Sequence, residues 1–480
     1  MPTQSLNTKR VILVGFAFFL ITAFWQAYDA IIPLMLTNRF GLPQTASGAI
    51  MALDNIFALF MLPLFGSLSD KSKSKYGKRT PFIFIGTLCA IVSFVVLTLI
   101  DNFQLAKISD EIRNMYPTNI TDVETKNEML EAVIGKTLDI TLSNPLPLIL
   151  FIIALLVVLI SMATFRSPAV ALMPDITVKP LRSKANAIIN LMGTAGGIFV
   201  LVLGMVFGTS GTENVYMQYT SYIIAVCALM AVALAVFIFT VKEKKWNREM
   251  LEEQAILDQN SSKEETVSET DEKLPKEKLH SLLLILASVA LWFTGYNAVT
   301  TKYSLYATNI LEQNFNLTLI IAQAAAVISY VPVGIIASKY GRKKTILAGV
   351  LMLAAAFTGA IFITSVTPPI IMYFLFALAG IAWATINVNS FPMVVELAKG
   401  SNIGKYTGYY YTASMSAQVI TPIFSGFLMD MINYRILFPY AAIFVILSFV
   451  TMFFVRHGNA QDLGGKSAKE LISDNFSNDD

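Results

Sequence analysis

The sequence is poor in charge, histidine and cysteine. Only 14% of its 480 residues are Asp, Glu, Lys or Arg, whereas soluble domains carry roughly 25%. The two histidines, His280 and His457, and the two cysteines, Cys89 and Cys227, are too few for a metal cluster or a disulfide framework. There is also no GxxxxGK(S/T) phosphate loop, HExxH motif or nucleophile elbow. These absences disfavour ATP-driven transport, an intramembrane enzyme, and a bound metal or other cofactor.

Apolar sequence is abundant instead. Hydrophobic residues make up 55% of the chain, and its mean hydropathy is +0.62. Apolar stretches of about 20 residues, the length that crosses a bilayer, predict twelve transmembrane helices and an all-α membrane protein. The predicted spans are 11–36, 45–68, 81–100, 147–172, 185–208, 220–241, 281–308, 317–337, 345–365, 369–396, 406–429 and 436–456.

Lysine and arginine are distributed unevenly between the short loops. One set of alternate loops holds fourteen of them, in 70–79, 173–184, 338–344 and 398–405. The opposite set holds two, Arg39 and Arg435. Because basic loops stay on the cytoplasmic side, both termini of this multi-pass protein are predicted to face the cytoplasm, with the chain in the cell membrane.

The polar segments divide the chain into two six-span halves. Residues 1–241 are predicted to form an N-terminal six-helix bundle with an outer loop at 101–145. A charged cytoplasmic linker at 242–280 leads to a C-terminal six-helix bundle at 281–456 and a polar cytoplasmic tail at 457–480. A solvated, partly helical linker is the favoured interpretation, and a regulatory or docking segment is the alternative.

A basic hairpin that contains glycines joins the second and third spans. Its features are Gly66, Asp70, Gly77, Lys78 and Arg79. The glycines allow backbone to pass close to backbone, and the cations can cap helix carboxyl ends and pair with Asp70. We expect this hairpin to be a cytoplasmic gate of a transporter.

A shorter copy of the hairpin lies in the second half of the chain, over 334–344, and includes Gly341 and Arg342. An ungapped overlay of the fourth and fifth spans on the tenth and eleventh places Asp175 against Glu396, each at the cytoplasmic end of its span. We expect both acids to belong to the gates. Internal repeats of this kind are the general plan of secondary transporters.

Four ionisable residues fall inside predicted spans: Asp29, Asp54, Arg166 and Lys302. A charge near the centre of a helix costs about 2.5–3.5 kcal/mol on insertion, so a functional role is the default interpretation. Asp54 lies near the bilayer midplane and is predicted to bind the coupling ion together with Asp29. For Arg166 a functional and a structural role remain equally open, and for Lys302 a structural role is favoured.

Aromatic and amide side chains accompany these charges within the spans. Sugars need flat apolar faces for stacking and polar groups for their hydroxyls, and this inventory offers both. Aromatic belts at the membrane interface and amide contacts between helices are the alternative explanation. The predicted substrate-binding residues are Trp25, Tyr28, Asp29, Arg166, Trp292, Tyr296, Asn297, Trp383, Asn387 and Gln418.

The whole chain resembles a major facilitator superfamily transporter. The second gate is similar to the loop signature of that superfamily, with Ser338 where an Asp is usual. The first gate, through its closing Pro81-Phe82-Ile83, is similar to the loop shared by sucrose transporters and the glycoside–pentoside–hexuronide:cation symporters. The resemblance implies uptake of a glycoside coupled to protons or sodium.

The chain departs from these groups at their membrane charges. The acid pair of the melibiose-type sodium site aligns with Ala58 and Leu62, and Asp54 lies one turn earlier. The membrane acid of sucrose transporters aligns with Leu159 and their arginine with Val170. Arg166 lies one helical turn before Val170.

Together these features predict a secondary transporter that imports a sugar or glycoside with a cation, H⁺ in preference to Na⁺. The predicted partners are a small solute, the ion and the lipid bilayer, without nucleic acid. An exporter or facilitator of another organic solute is the nearest alternative. A solute receptor that does not transport is a further one.

Overall fold

The computed structural model describes residues 6–117, 120, 122–178, 181–211, 214–261, 276–395, 397 and 403–457. These residues fold into helices and contain no strand. They separate into two compact units. The N-terminal unit contains described residues between 5 and 265 together with Tyr303–Leu317, and the C-terminal unit contains those between 266 and 302 and from 318 onward.

Six long helices form the body of the N-terminal unit. They are α1 (Thr8–Asn38), α2 (Gln44–Asp70), α3 (Thr80–Leu105), α6 (Leu146–Ile176), α7 (Arg182–Phe207) and α8 (Thr220–Thr240). Three further helices lie outside the predicted spans: α4 (Asp110–Asn114), α5 (Val123–Ser143) and α9 (Glu243–Ser261).

Six more long helices follow α9. They are α10 (Lys276–Tyr306), α11 (Phe315–Tyr340), α12 (Arg342–Ile361), α13 (Pro369–Val395), α14 (Ile403–Met431) and α15 (Leu437–Phe453). A π-helix at Ala307–Leu311 extends α10, and a short 3₁₀ helix at Tyr434–Ile436 precedes α15.

Ten of the described helices are long and apolar enough to cross a membrane. The other two predicted spans correspond to α11 and α14, of 26 and 29 residues. Many large apolar side chains, such as Val206 and Phe239, are exposed, as lipid-facing residues must be. The prediction of an all-α membrane fold with twelve long helices is therefore confirmed.

Within the N-terminal unit α1 packs on α7 and α8, and α3 packs on α6 and α8. A Cβ at Gly196 would lie 2.5 Å from the carbonyl oxygen of Phe19, so only glycine permits this approach of α7 to α1. In the C-terminal unit α12 packs on α13 and α15. We call the end of the N-terminal unit that carries the 71–79 loop the basic end, and the opposite end the distal end.

Two polar segments are more structured than the sequence suggested. The 101–145 segment begins inside α3 and contains the 21-residue helix α5. The first part of the linker is α9, which packs on α6 at the basic end. The first part of the linker is thus helical, with Trp246 and Met250 buried and residues such as Lys244 and Leu251 exposed. The regulatory or docking role stays a prediction.

Candidate functional site

A pocket in the N-terminal unit contains the charge predicted nearest the midplane. Asp54 of α2 and Arg166 of α6 line it together with Trp25 of α1. The Arg166 guanidinium lies over the Trp25 ring, 5.5 Å from its centre. Asn55 donates its side-chain amide to Asp54 Oδ1 at 2.7 Å. The structure thus places an acid, a base and an indole on three helices around one space.

The remaining lining is apolar. It consists of Phe57, Ala58, Leu62, Leu159 and Ala163. Three of these, Ala58, Leu62 and Leu159, are the positions that the sequence resemblance aligns with membrane acids of other transporter groups. Asp54, which also lines the pocket, lies one helical turn before Ala58 on α2.

The pocket encloses a small space of about 10 Å³ and is partly open. A single water molecule needs about 10–15 Å³ by the same kind of measure. In this structure the pocket therefore has room for a water molecule or an ion and not for a whole sugar.

Tyr28 and Asp29 lie beside this pocket on α1. The Tyr28 and Trp25 rings are 5.3 Å apart and meet edge to face, and both Tyr28 and Asp29 lie within electrostatic reach of Asp54. The Tyr28 hydroxyl and the Trp25 indole nitrogen are buried, and neither has a hydrogen-bond partner among the described residues. Buried polar atoms are normally paired, so two unpaired donors beside the pocket are unusual.

A second cluster of predicted residues lies in the C-terminal unit. The Trp383 ring of α13 stacks on Tyr296 of α10 with centres 3.6 Å apart and planes 4° from parallel. Phe293 meets Trp383 edge to face at 5.2 Å. One turn along α13, the Asn387 amide hydrogen-bonds Tyr330. Sequence reasoning missed Phe293 and Tyr330 because aromatic residues are common throughout these spans.

The other predicted solute-binding residues of the C-terminal unit are less clearly placed at a site. The Trp292 ring is fully buried, and its indole nitrogen lacks a partner among the described residues. The side-chain nitrogen of Asn297 is also buried without a hydrogen-bond partner among the described residues. Gln418 donates to the carbonyl of Ser414 on its own helix at 3.3 Å.

The basic end of the N-terminal unit is organised around Arg79. Its Nε donates to Asp175 Oδ2 at 2.8 Å, and its terminal nitrogens donate to Asp70, to Ser69 and, at 3.4 Å, to the carbonyl of Gly66. Burial lowers the pKa of Arg79, but the hydrogen bonds and charges of Asp175 and Asp70 raise it above its ordinary value. The guanidinium therefore stays charged, and it ties the end of α2 to the end of α6.

Glu243 completes this network, and the sequence analysis did not single it out. Its carboxylate accepts hydrogen bonds from the backbone nitrogens of Lys78, Arg79 and Thr80 at 2.6, 2.9 and 2.8 Å, and from the Thr80 hydroxyl at 2.7 Å. Three consecutive backbone N–H groups, at and just before the start of α3, are thereby paired with a negative charge. Its position as the first acid after the sixth span is the one signal that could have found it.

Gly77 makes room for this carboxylate. Its φ is +123°, and a Cβ at this position would lie 2.2 Å from the Glu243 carboxylate. Further along α9, Asn247 donates to the carbonyl of Asp175 at 2.6 Å, and Glu249 pairs with Arg10 at 2.7 Å. Helix α9 is therefore held to the 71–79 loop and to two helices of its own unit, α1 and α6.

At the second predicted gate, the connection between α11 and α12 is one residue long. Gly341 lies between α11 and α12 with φ of +87°, and Arg342 is the first residue of α12. The next residue, Lys343, donates to the carbonyl of Phe453 at 2.8 Å. Glu396, the predicted counterpart of Asp175, lies outside the described residues.

Comparison with known families settles the class of this protein. The family model described as Major Facilitator Superfamily matches residues 133–325 and 283–477, and the one described as MFS/sugar transport protein matches residues 13–107. The chain belongs to the major facilitator superfamily. It is therefore a multi-pass membrane transporter and not an enzyme, as its motifs predicted, and its substrate is a small solute.

Two proteins with similar sequences differ in how much of this chain they match. The chain is 30% identical over 96 residues to sucrose transport protein SUC4 of Arabidopsis thaliana, which is 20% of this chain and 19% of that protein. It is 22% identical over 457 residues to an uncharacterised MFS-type transporter of Methanocaldococcus jannaschii, covering 93% of this chain and 95% of that one. The stronger identity thus spans about a fifth of the sucrose transport protein.

Among solved structures, the inward-open xylose transporter XylE from E. coli superposes with a TM-score of 0.61. The match covers 97% of this chain and 98% of that chain at 14% identity. At this identity the likeness shows the major facilitator fold alone.

Proposed function

We propose that this transporter imports a sugar or glycoside by symport with a cation, H⁺, through alternating access. In this proposal it lies in the cell membrane with both termini in the cytoplasm, so that the basic end is cytoplasmic and the distal end faces outward. Asp54 takes up and releases the proton. Asp29 and Arg166 set its affinity for the proton and contact the solute.

The position of Asp54 carries this proposal. Its carboxylate lies in the membrane-spanning part of α2 and lines a pocket with Arg166 and Trp25. Carboxylates inside a membrane mark ion pathways and proton relays because an unpaired charge there is costly. A proton that neutralises Asp54 would also weaken its attraction to Arg166 and free the guanidinium for the solute, so proton binding would favour solute binding, as symport requires.

The polar atoms near the pocket support a solute rich in hydroxyl groups. The Trp25 indole and the Tyr28 hydroxyl offer two unpaired buried donors, and Trp25 also offers an aromatic surface beside the cation of Arg166. In the C-terminal unit, Trp383 and Asn387 combine an aromatic ring with an amide one turn away. The 96-residue likeness to a sucrose transport protein agrees with this chemistry.

The test is uptake by proteoliposomes of a panel of radiolabelled mono- and disaccharides, with and without an inward proton gradient. We expect one sugar to accumulate only with the gradient. Asp54→Asn should abolish accumulation but leave exchange of internal for external sugar, because exchange needs no net proton movement. Asp139→Asn, the same change at an exposed position of α5, is the matched control and should transport normally.

Accumulation that survives Asp54→Asn would show that the proton binds elsewhere. If no sugar of the panel accumulates, the apolar lining of Phe57, Leu62 and Leu159 favours the second candidate. In that case the protein would be an exporter or facilitator of a more hydrophobic organic solute. Efflux of a lipophilic cation dye from loaded vesicles would measure that activity directly.

A further inference from the structure

The distal end of the N-terminal unit holds a buried cluster that the proposed function does not use. The Lys126 ammonium of α5 donates to the carbonyl of Ile310 at 3.1 Å and forms an ion pair with Glu312. The Tyr116 hydroxyl donates to Asn309 Oδ1 at 2.8 Å, and the Asn309 amide donates to Asn38 at 3.2 Å. These contacts join the 101–145 segment and the end of α1 to the segment that follows α10.

Lys126 is in an unfavourable position for a lysine. It lies in the first turn of α5, where the helix dipole disfavours a cation, and its side chain is only 2% exposed. Buried lysine without a partner is rare because desolvation of the ammonium is costly. The Ile310 carbonyl and the Glu312 carboxylate compensate this cost. The Lys126 ammonium is therefore stable at this position only while both partners are in place.

The segment that receives Lys126 departs from regular helix. The π-helix Ala307–Leu311 is fully buried, and Glu312 follows it with φ of +53°, the only non-glycine residue with positive φ among those described. Such backbone costs energy and concentrates where segments switch. Lys126 stabilises it by placing a cation at the carboxyl end of the π-helix, where the helix dipole favours positive charge.

The rest of α5 is fixed firmly to the body of its unit. A Cβ at Gly41 would lie 2.3 Å from the backbone nitrogen of Leu138, so α5 rests directly on the turn between α1 and α2. Gln104 of α3 donates to Thr141 at 2.9 Å and to the carbonyl of Arg39 at 3.1 Å. One end of α5 is thus anchored while the other holds Glu312.

From these contacts we propose that α5 is a latch on the distal end, in which Lys126 and Tyr116 hold the strained 307–312 segment closed. Release of Lys126 lets this segment rearrange and admits water to the distal end of α10. The latch therefore limits how often the distal side of the transporter opens. This inference goes beyond the proposed function, since it involves neither the sugar nor the coupling ion.

Hydrogen–deuterium exchange of the full-length protein in lipid nanodiscs, with no solute added, tests the latch. In Lys126→Met and in Glu312→Gln, amides of Tyr303–Gln313 should exchange at least about tenfold faster than in the wild type, because a buried ion pair has lost one partner. Lys136→Met is the matched control: it is on the same helix, and its partner Glu111 at 3.6 Å is exposed. Exchange in Thr80–Leu105 should not change and reports intact folding.

A second measurement reports opening itself. Ser304, six residues before Ile310, is 3% exposed and donates to the backbone carbonyl of Asp29 at 3.2 Å. In a protein with Cys89→Ala and Cys227→Ala, a water-soluble maleimide should label the thiol of Ser304→Cys about tenfold faster when Lys126→Met is added.

Three outcomes would overturn the proposal. Wild-type exchange at 303–313 in both latch variants would show that the ion pair holds nothing. Equal acceleration by Lys136→Met would show a general loss of stability. Faster exchange without faster labelling of the Ser304→Cys thiol would leave a structural clamp that does not control opening. Each result is obtained whether or not the protein transports a sugar.

Discussion

Replacing Glu243 by glutamine is the sharpest test of how the linker helix is attached. Glu243 is 3% exposed, and its two carboxylate oxygens accept from three consecutive backbone nitrogens and one hydroxyl at the start of α3. Glutamine has the same shape but only one acceptor oxygen. Its NH₂ group must therefore face a donor that the carboxylate now pairs.

The cost follows from the best arrangement that glutamine can adopt. Its oxygen can keep Lys78 N and Arg79 N, while its NH₂ donates to the Thr80 hydroxyl and leaves Thr80 N unpaired. An unsatisfied buried donor costs about 1–3 kcal/mol, and two hydrogen bonds lose the strength that the charge gave them. With about 1 kcal/mol for the unpaired donor and about 1 kcal/mol for each of the two weakened hydrogen bonds, the loss is about 3 kcal/mol in total. That corresponds to a fall of about 6 °C in the midpoint of thermal unfolding.

A thiol-reactive fluorogenic dye can measure this fall in detergent. Cys227 is buried and becomes reactive when the N-terminal unit unfolds, and Cys89→Ala removes the exposed thiol. The control is Glu249→Gln on the same helix, whose ion pair with Arg10 is one-third exposed and contributes at most about 1 kcal/mol. If Glu243→Gln lowered the midpoint no more than Glu249→Gln, the inferred role of the carboxylate would be wrong.

Two further changes test neighbouring features. Gly77→Ala should lower the same midpoint by several degrees, because φ of +123° strains an alanine and its Cβ would meet Glu243; a smaller effect in a Glu243→Ala background would show that the clash is the cause. Trp383→Phe keeps an aromatic ring against Tyr296 and should retain binding of the transported sugar, whereas Trp383→Ala should lose it without loss of hydrophobic-dye binding. Equal sugar affinity of the two variants would show that the sugar does not bind against the ring of Trp383.

The long helices of this fold could be predicted from the sequence because a segment that crosses a bilayer must be apolar and must pair its backbone polar groups internally. A run of about 20 apolar residues has one stable form in lipid, so predicted spans such as 45–68 and 147–172 agree closely with Gln44–Asp70 and Leu146–Ile176. Charge inside such a run is equally conspicuous. Asp54 and Arg166 could therefore be chosen as candidates although nothing in the sequence shows that they line one pocket.

The polar segments could not be read in this way. Helix α9 has the composition of a solvated helix, and its docking depends on Glu243 reaching a loop more than 160 residues earlier in the chain. Lys126 and Glu312 are 186 residues apart. Such pairs leave no local periodicity, and a single buried lysine on a mostly polar helix looks like its exposed neighbours. Only the tertiary structure shows which charged side chains are buried and which partners they pair with.

The position of Asp54 relative to Ala58 leads to a last prediction. Asp54 and Ala58 are one turn apart on α2, and both line the pocket. If coupling depends on a carboxylate in this pocket and not on its position along α2, Ala58→Asp should restore part of the gradient-driven uptake that Asp54→Asn abolishes. Ala58→Asn in the same background has nearly the same volume without the charge and should restore none. Equal uptake in the two double variants, with both proteins folded, would mean that the geometry of Asp54 against Arg166 and Asn55 is required. The resemblance to known symporters would then not extend to how an ion is bound.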